Sequence, residues 1–258
     1  MRRAGVVALN TFREAVRDRV LYNLVFFALL MIAAAILVGQ ISIGIEENVI
    51  VALGLSAVSV IGLLIAIFIG VGLVSKEMDK RTLYALLAKP VRRWEFLLGK
   101  FGGLVLTLTV NTAAMAAGLF VALFCVRHSL QLSDTAIVIA VYFILLKLAL
   151  VVALALLFSS FTTPLLAILY TAGLYIAGQF VQEMRTFHNP RANPAVAAFT
   201  HWLSYLLPNF ENFNVMAAAA HGREIPGALI LQNTIYAVLY CGIILLVATV
   251  VFSRRNLK

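Results

Sequence analysis

Ser75–Lys100, SKEMDKRTLYALLAKPVRRWEFLLGK, is the stretch that decides how the chain is read. It carries Lys76, Lys80, Arg81, Lys89, Arg92, Arg93 and Lys100 against Glu77, Asp79 and Glu95, and it separates two long apolar runs. A segment this charged cannot lie in hydrocarbon, so it must face a lipid surface or a partner. Around it the chain is greasy: 63% of its 258 residues are hydrophobic and 12% charged, against roughly 25% charged residues in soluble domains. The composition is that of a membrane protein. It leaves room for several spanning helices of about 20 residues and for no separate soluble catalytic domain.

Apolar runs at Val20 to Gly39, Val49 to Val74, Phe101 to Val126, Ala136 to Phe158, Pro164 to Gln182 and Leu229 to Phe252 predict six crossings, with both termini on one side. Of the 20 Lys and Arg, only Arg127, Arg185, Arg191 and Arg223 fall on the other side, while Lys147 lies inside a run. The side holding the N-terminal arginines, the Ser75–Lys100 bases and Arg254, Arg255 and Lys258 is therefore expected in the cytoplasm. This makes the formal charge of +9 a matter of topology, and nucleic acid is not expected as a partner. Arg2 and Arg3 are followed by a mixed segment rather than the short apolar core of a cleavable leader, so the N-terminus is expected to stay attached.

From residue 1 to the start of the first run, Val6, Leu9, Phe12, Val16 and Val20 share one helical face and Arg3, Asn10, Glu14, Arg17 and Asp18 the other. That pattern predicts a helix lying in the membrane interface, or else a solvated amphipathic leader. At the other end, residues 183–228 are too long for a turn and too aromatic for a polar loop. Short helices dipping into the outer leaflet are expected there, broken near Pro194, Pro208 and Pro226.

Within the fifth run, Thr171, Tyr175, Gly178 and Gln182 recur on a single stripe. Such a stripe would face a translocation path or a partner helix in a dimer, or would consist of hydroxyls bonded back to their own helix and a close-packed glycine. Thr107, Thr109, Asn111 and Thr112 of the third run admit the same two readings. Lys147 stands near the middle of the fourth run, and no acid lies within any of the six. A charge there costs about 2.5–3.5 kcal/mol on insertion scales, so it must face protein, water or a ligand. It could meet an anionic cargo group, a lipid phosphate or the carbonyls of a broken helix, or be capped by carbonyls and hydroxyls.

Cys125 and Cys241 lie in apolar runs and are expected to be packing residues. His128, His188, His201 and His221, with Met184 and Met216, fall at or beyond the outer boundary; such soft ligands could hold copper, but their irregular spacing is that of scattered surface residues and no metal site is expected. The chain also lacks a G-x-x-x-x-G-K-[ST] phosphate loop; Gly99-Lys100 is followed by Phe101 without the upstream glycine. No cofactor and no catalytic residue are expected in this polypeptide.

Glu77-Met78-Asp79-Lys80-Arg81-Thr82-Leu83, then Leu86-Leu87-Ala88-Lys89-Pro90-Val91-Arg92-Arg93 and Leu97-Leu98-Gly99-Lys100, resemble the cytoplasmic signature of ABC-2 type transporter permeases. Leu207-Pro208-Asn209-Phe210-Glu211-Asn212-Phe213 resembles the branch that includes permeases linked to copper-enzyme maturation. The resemblance implies an all-α membrane protein of six transmembrane helices with the ABC-2 exporter (type V) fold. It implies a single transmembrane domain over residues 1–258: an interfacial helix in 1–19, a coupling segment in 75–100 and an extracytoplasmic re-entrant segment in 183–228.

It further implies that ATP and magnesium are bound by a separate pair of ATP-binding subunits, and that the permease pairs with a second copy or a related chain in the cell's inner membrane. Glu77, Arg81, Leu83, Leu86 and Leu87 would then contact the ATPase, the leucines seated in its cleft and the charges paired at its rim. A secondary transporter is a rival reading, as is a non-transporting anchor for a cytoplasmic ATPase. The first lacks the expected repeats and intramembrane acids.

Overall fold

A computed structural model describes residues 2–41, 44–79, 93–128, 134–186 and 202–254. Among these residues the chain is helical, with no strand. The principal helices are α1 (Arg2–Val16), α2 (Arg19–Ile41), α3 (Glu46–Asp79), α4 (Arg93–Arg127), α5 (Thr135–Ser159), α6 (Pro164–Gln179), α7 (Val181–Thr186), α8 (Met216–Ala220) and α9 (Gly227–Arg254). Residues 202–206 are also helical, and Glu211–Phe213 form a 3-10 turn. Residues 46–73, 94–127, 135–159 and 227–253 give four helices long and apolar enough to cross a membrane; Leu24–Gly39 and Pro164–Gln179 are shorter apolar helices.

The centre of the bundle is α5, which is apolar all round and therefore needs partners on every side. It packs against α3, α4, α6 and α9, and Leu148, Leu150, Val151, Val152, Ala153, Ala155 and Leu156 are fully buried. Helix α2 lies against α3 and α4. By contrast α9 leaves Leu231, Val238, Leu239 and Leu246 exposed along one face, a surface suited to lipid tails or another apolar helix.

Helix α1 packs along the first half of α4, but not through the face that its hydrophobic pattern selects. Val6 and Leu9 are exposed, while Thr11 and Ala15 are buried and Val7 and Ala8 turn inward with them. The seam is set by size. A Cβ placed on Gly103 would lie 2.5 Å from the Ala8 carbonyl oxygen and 2.6 Å from Thr11 Cβ, so the two backbones approach as closely as they do because a glycine stands there. Small residues thus dock α1 on α4, and Val6 and Leu9 are left for the bilayer surface.

Helix α4 begins at Arg93, earlier than the apolar run starting at Phe101, so the last part of the charged stretch is already helical. Lys100 is buried there, its Nζ 3.9 Å from the Glu14 carboxylate of α1 and 5.9 Å from the Phe96 ring centre. This base lies in the seam between α1 and α4.

Candidate functional site

Arg81, Leu83, Leu86 and Leu87 of the coupling segment lie outside the described residues, and Glu77 falls in the last turn of α3. The described chemistry gathers instead where residues 202–222 fold back over one end of the bundle. That end also holds the start of α3 and the end of α4. There Arg127 bonds to Glu47 and donates at 2.8 Å to Asp134, tying α3 and α4 to the residue that precedes α5. These groups, with Asn48, Ala219 and His221, line a polar cavity of about 260 Å³.

The folded-back segment is built around Asn209. Its backbone N–H donates to the Tyr236 hydroxyl of α9 at 2.9 Å, its side-chain oxygen accepts from Glu211 N–H at 3.1 Å, and its side-chain nitrogen donates to Asn212 Oδ1 at 3.1 Å. Asn233 of α9 donates to the Asn212 carbonyl at 2.7 Å. Held in this way, the turn drives Phe210 and Phe213 into the bundle, where both are fully buried. Phe210 packs on Tyr175 with ring centres 5.0 Å apart, and Phe213 meets Phe143 of α5 edge-on at 6.4 Å. Phe143 lies about 12 Å along α5 from Thr135 at 1.5 Å rise per residue, so the segment penetrates well below the helix end.

This docking explains two of the stripe residues. Gly178 accepts a hydrogen bond from Phe210 N–H at 3.1 Å, and a Cβ on it would lie 2.5 Å from the Pro208 carbonyl oxygen. Thr171 is buried and donates back to Ala167 at 2.7 Å. The continuous helix expected to Gln182 is interrupted: α6 ends at Gln179, Phe180 takes a turn conformation, and Gln182 lies exposed on α7. A hydrogen bond arriving from outside the helix is an ordinary cause of such a break. The stripe is therefore split, and Tyr175 and Gly178 face the chain's own folded-back segment. In α4, Thr107, Thr109 and Thr112 likewise bond back to their own helix at 2.7–2.9 Å, while Asn111 is buried and its amide nitrogen has no hydrogen bond among the described residues.

Lys147 is 4% exposed, and its ammonium donates to Ser59 Oγ of α3 at 2.7 Å. The charge thus meets a hydroxyl of another run. Depth is the signal that could have found Ser59. Counted from the starts of α3 and α5, Ser59 and Lys147 both lie about 18–20 Å along their helices.

His221 Nδ1 lies 3.3 Å from Asn48 Nδ2, and Met216 Sδ accepts from the Ser56 hydroxyl at 4.0 Å. His188 and His201 lie outside the described residues. Among the described residues no three His, Cys, Asp or Glu are grouped to hold a metal ion.

The profile of the ABC-2 family transporter proteins matches residues 6–257. The chain belongs to that family. An ABC-2 protein with these apolar helices is an integral membrane protein, and it is the membrane component of an ABC transporter, not itself the catalytic part. Members of the family normally work with an ABC ATP-binding subunit. No curated protein matches the chain by sequence.

Proposed function

We propose that this chain is the permease subunit of an ATP-driven exporter, moved by a separate ATP-binding subunit seated against Ser75–Lys100. The family match over nearly the whole chain carries this reading. Its charged stretch supplies the contact: Leu83, Leu86 and Leu87 enter a cleft of the ATPase, and Glu77 and Arg81 pair at the rim. ATP and magnesium belong to that partner. Two ATP-binding subunits and a second permease copy, identical or related, complete the assembly.

All six apolar helices cross the inner membrane in this reading, with both termini in the cytoplasm. Helix α2, at 23 residues, extends about 34 Å and spans alone. Helix α6, at 16 residues, reaches about 24 Å and needs α7 beyond the break to complete its crossing. Residues 202–222 then belong to the outer leaflet. Thr171, Gly178 and Lys147 are buried within the chain, so they reach a path or a second copy only when α6 moves or the folded-back segment lifts. The likeness of Leu207–Phe213 to permeases of copper-enzyme maturation supports no cargo assignment by itself.

The test is purification of the tagged chain from its native membranes. An ABC ATP-binding subunit should co-purify, and Leu83→Ala/Leu87→Ala should lose it while the permease still accumulates. Retention of the subunit at wild-type level by that double variant would overturn the coupling role. ATP hydrolysis without ATP-dependent transport in vesicles would favour the membrane anchor instead.

A further inference from the structure

Helices α2 and α3 touch closely near their connection, where a Cβ on Gly39 would lie 2.8 Å from Ile50 Cγ1. Further along they leave a slot of about 370 Å³ between them. The small, buried Ala35 and Ala57 form its floor, and the exposed Phe27 and Val38 of α2 and Leu53 and Val60 of α3 form its rims. Ser56 is the one polar residue in the lining, and its hydroxyl donates to Met216 Sδ at 4.0 Å. Water finds too few partners in such a slot to stay there. Both helices are apolar runs of a membrane protein, so the slot is filled by the bilayer or by another protein. A second helix, roughly 10–12 Å across with its side chains, is too wide to enter between two helices that already touch. A single acyl chain is narrow enough. Because lipid tails are as apolar as the slot, what the chain gains there is packing contact in a void and not withdrawal from water.

One end of the slot leads to a charge. Glu46, Leu53 and Val60 recur at seven-residue intervals on a single face of α3, which puts Glu46 about 10 Å beyond the rim at Leu53. Glu46 lines a polar hollow with Gly44 and Asn48, while the neighbouring Glu47 is engaged by Arg127. We propose that a membrane phospholipid with a primary ammonium headgroup, phosphatidylethanolamine, is held here, with one acyl chain in the slot and its ammonium on Glu46. An anionic headgroup is repelled by the same carboxylate, and a quaternary ammonium has no N–H to donate to it. The site requires only that the chain spans a membrane, and it does not depend on the ATPase coupling.

The test uses the full-length chain, without ATPase, in phosphatidylcholine vesicles doped with phosphatidylethanolamine or phosphatidylglycerol that carries a photoreactive diazirine in one acyl chain. Crosslinked peptides are mapped by mass spectrometry. The ethanolamine probe should label residues 27–38 and 53–61 severalfold above the exposed α9 face of Leu231, Val238 and Leu246. It should also label them about threefold above the glycerol probe, the scale of one exposed charge pair. Ala57→Phe, which fills the slot, should bring its labelling down to the α9 level, and so should Ala34→Leu, a milder filling from the α2 side. Glu46→Gln should equalise the two probes, with the slot still labelled above α9. Equal labelling of the slot and the α9 face overturns the site, and so does labelling that survives both filled variants. An ethanolamine preference unchanged in Glu46→Gln overturns the headgroup contact. Disulfide-linked dimers through Val60→Cys, in a chain whose Cys125 and Cys241 are replaced by Ala, with the probe shut out of the slot, would overturn the lipid in favour of a second copy.

Discussion

Gly178 and Phe210 are joined backbone to backbone, the Phe210 N–H donating to the Gly178 carbonyl at 3.1 Å while the Pro208 carbonyl passes where a Gly178 side chain would stand. The helix α6 and the folded-back segment therefore share a contact that depends on an absent methyl group. Phe180, two residues on, is where α6 gives way to α7.

Gly178→Ala tests this contact. Alanine is favoured over glycine in a helix by roughly 0.5–1 kcal/mol, but a Cβ 2.5 Å from a backbone oxygen cannot be accommodated by a side-chain rotation. Overpacking of this kind costs about 1–3 kcal/mol, so the clash should win. The detergent-solubilised protein should lose about 2–8 °C in Tm. A Tm that rises would show that the two segments do not meet at this position.

The α1–α4 seam makes a parallel case with a different readout. Gly103→Val places branched carbon against the Ala8 carbonyl and Thr11, and α1 should be pried from α4. Trypsin should then cut after Arg13 faster than in the unmodified chain, with the later helices still protected. Equal cutting rates would place α1 elsewhere.

Ser59→Ala leaves the Lys147 ammonium without its 2.7 Å acceptor. Hydrogen bonds to charged groups contribute about 1.5–3 kcal/mol, so a loss of that order is expected in chemical unfolding. In the Lys147→Met background the same Ser59→Ala change should cost much less. An equal cost in both backgrounds would mean that the serine acts through packing and not through the lysine.

Arg127→Ala removes two carboxylate contacts at once. Glu47 is 43% exposed and can rehydrate, whereas Asp134 is 10% exposed. The loss should therefore stay near 1–2 kcal/mol, below that for breaking a fully buried pair. Asp134→Asn and Arg127→Ala should combine to less than the sum of their separate effects on Tm. Strict additivity would remove the coupling between them.

The sequence by itself determined that the chain is helical and made for a membrane, because an apolar run long enough to span hydrocarbon must satisfy its backbone within itself. It also placed the six apolar segments to within a few residues at most ends, and its charged stretch carried the resemblance that the family match bears out. Faces and partners were another matter. Val6 and Leu9 mark the apolar stripe of α1, yet the helix docks through Ala8 and Thr11, since close approach to Gly103 rewards small size over hydrophobicity. Thr171 to Gln182 looked like a single stripe because periodicity assumes an unbroken helix, and the break at Phe180 coincides with a bond from a residue far along the chain. Lys147 was legible as a charge needing a partner. That its partner is Ser59 was decided by tertiary structure alone, because the packing of α3 on α5 brings together groups that no local pattern connects.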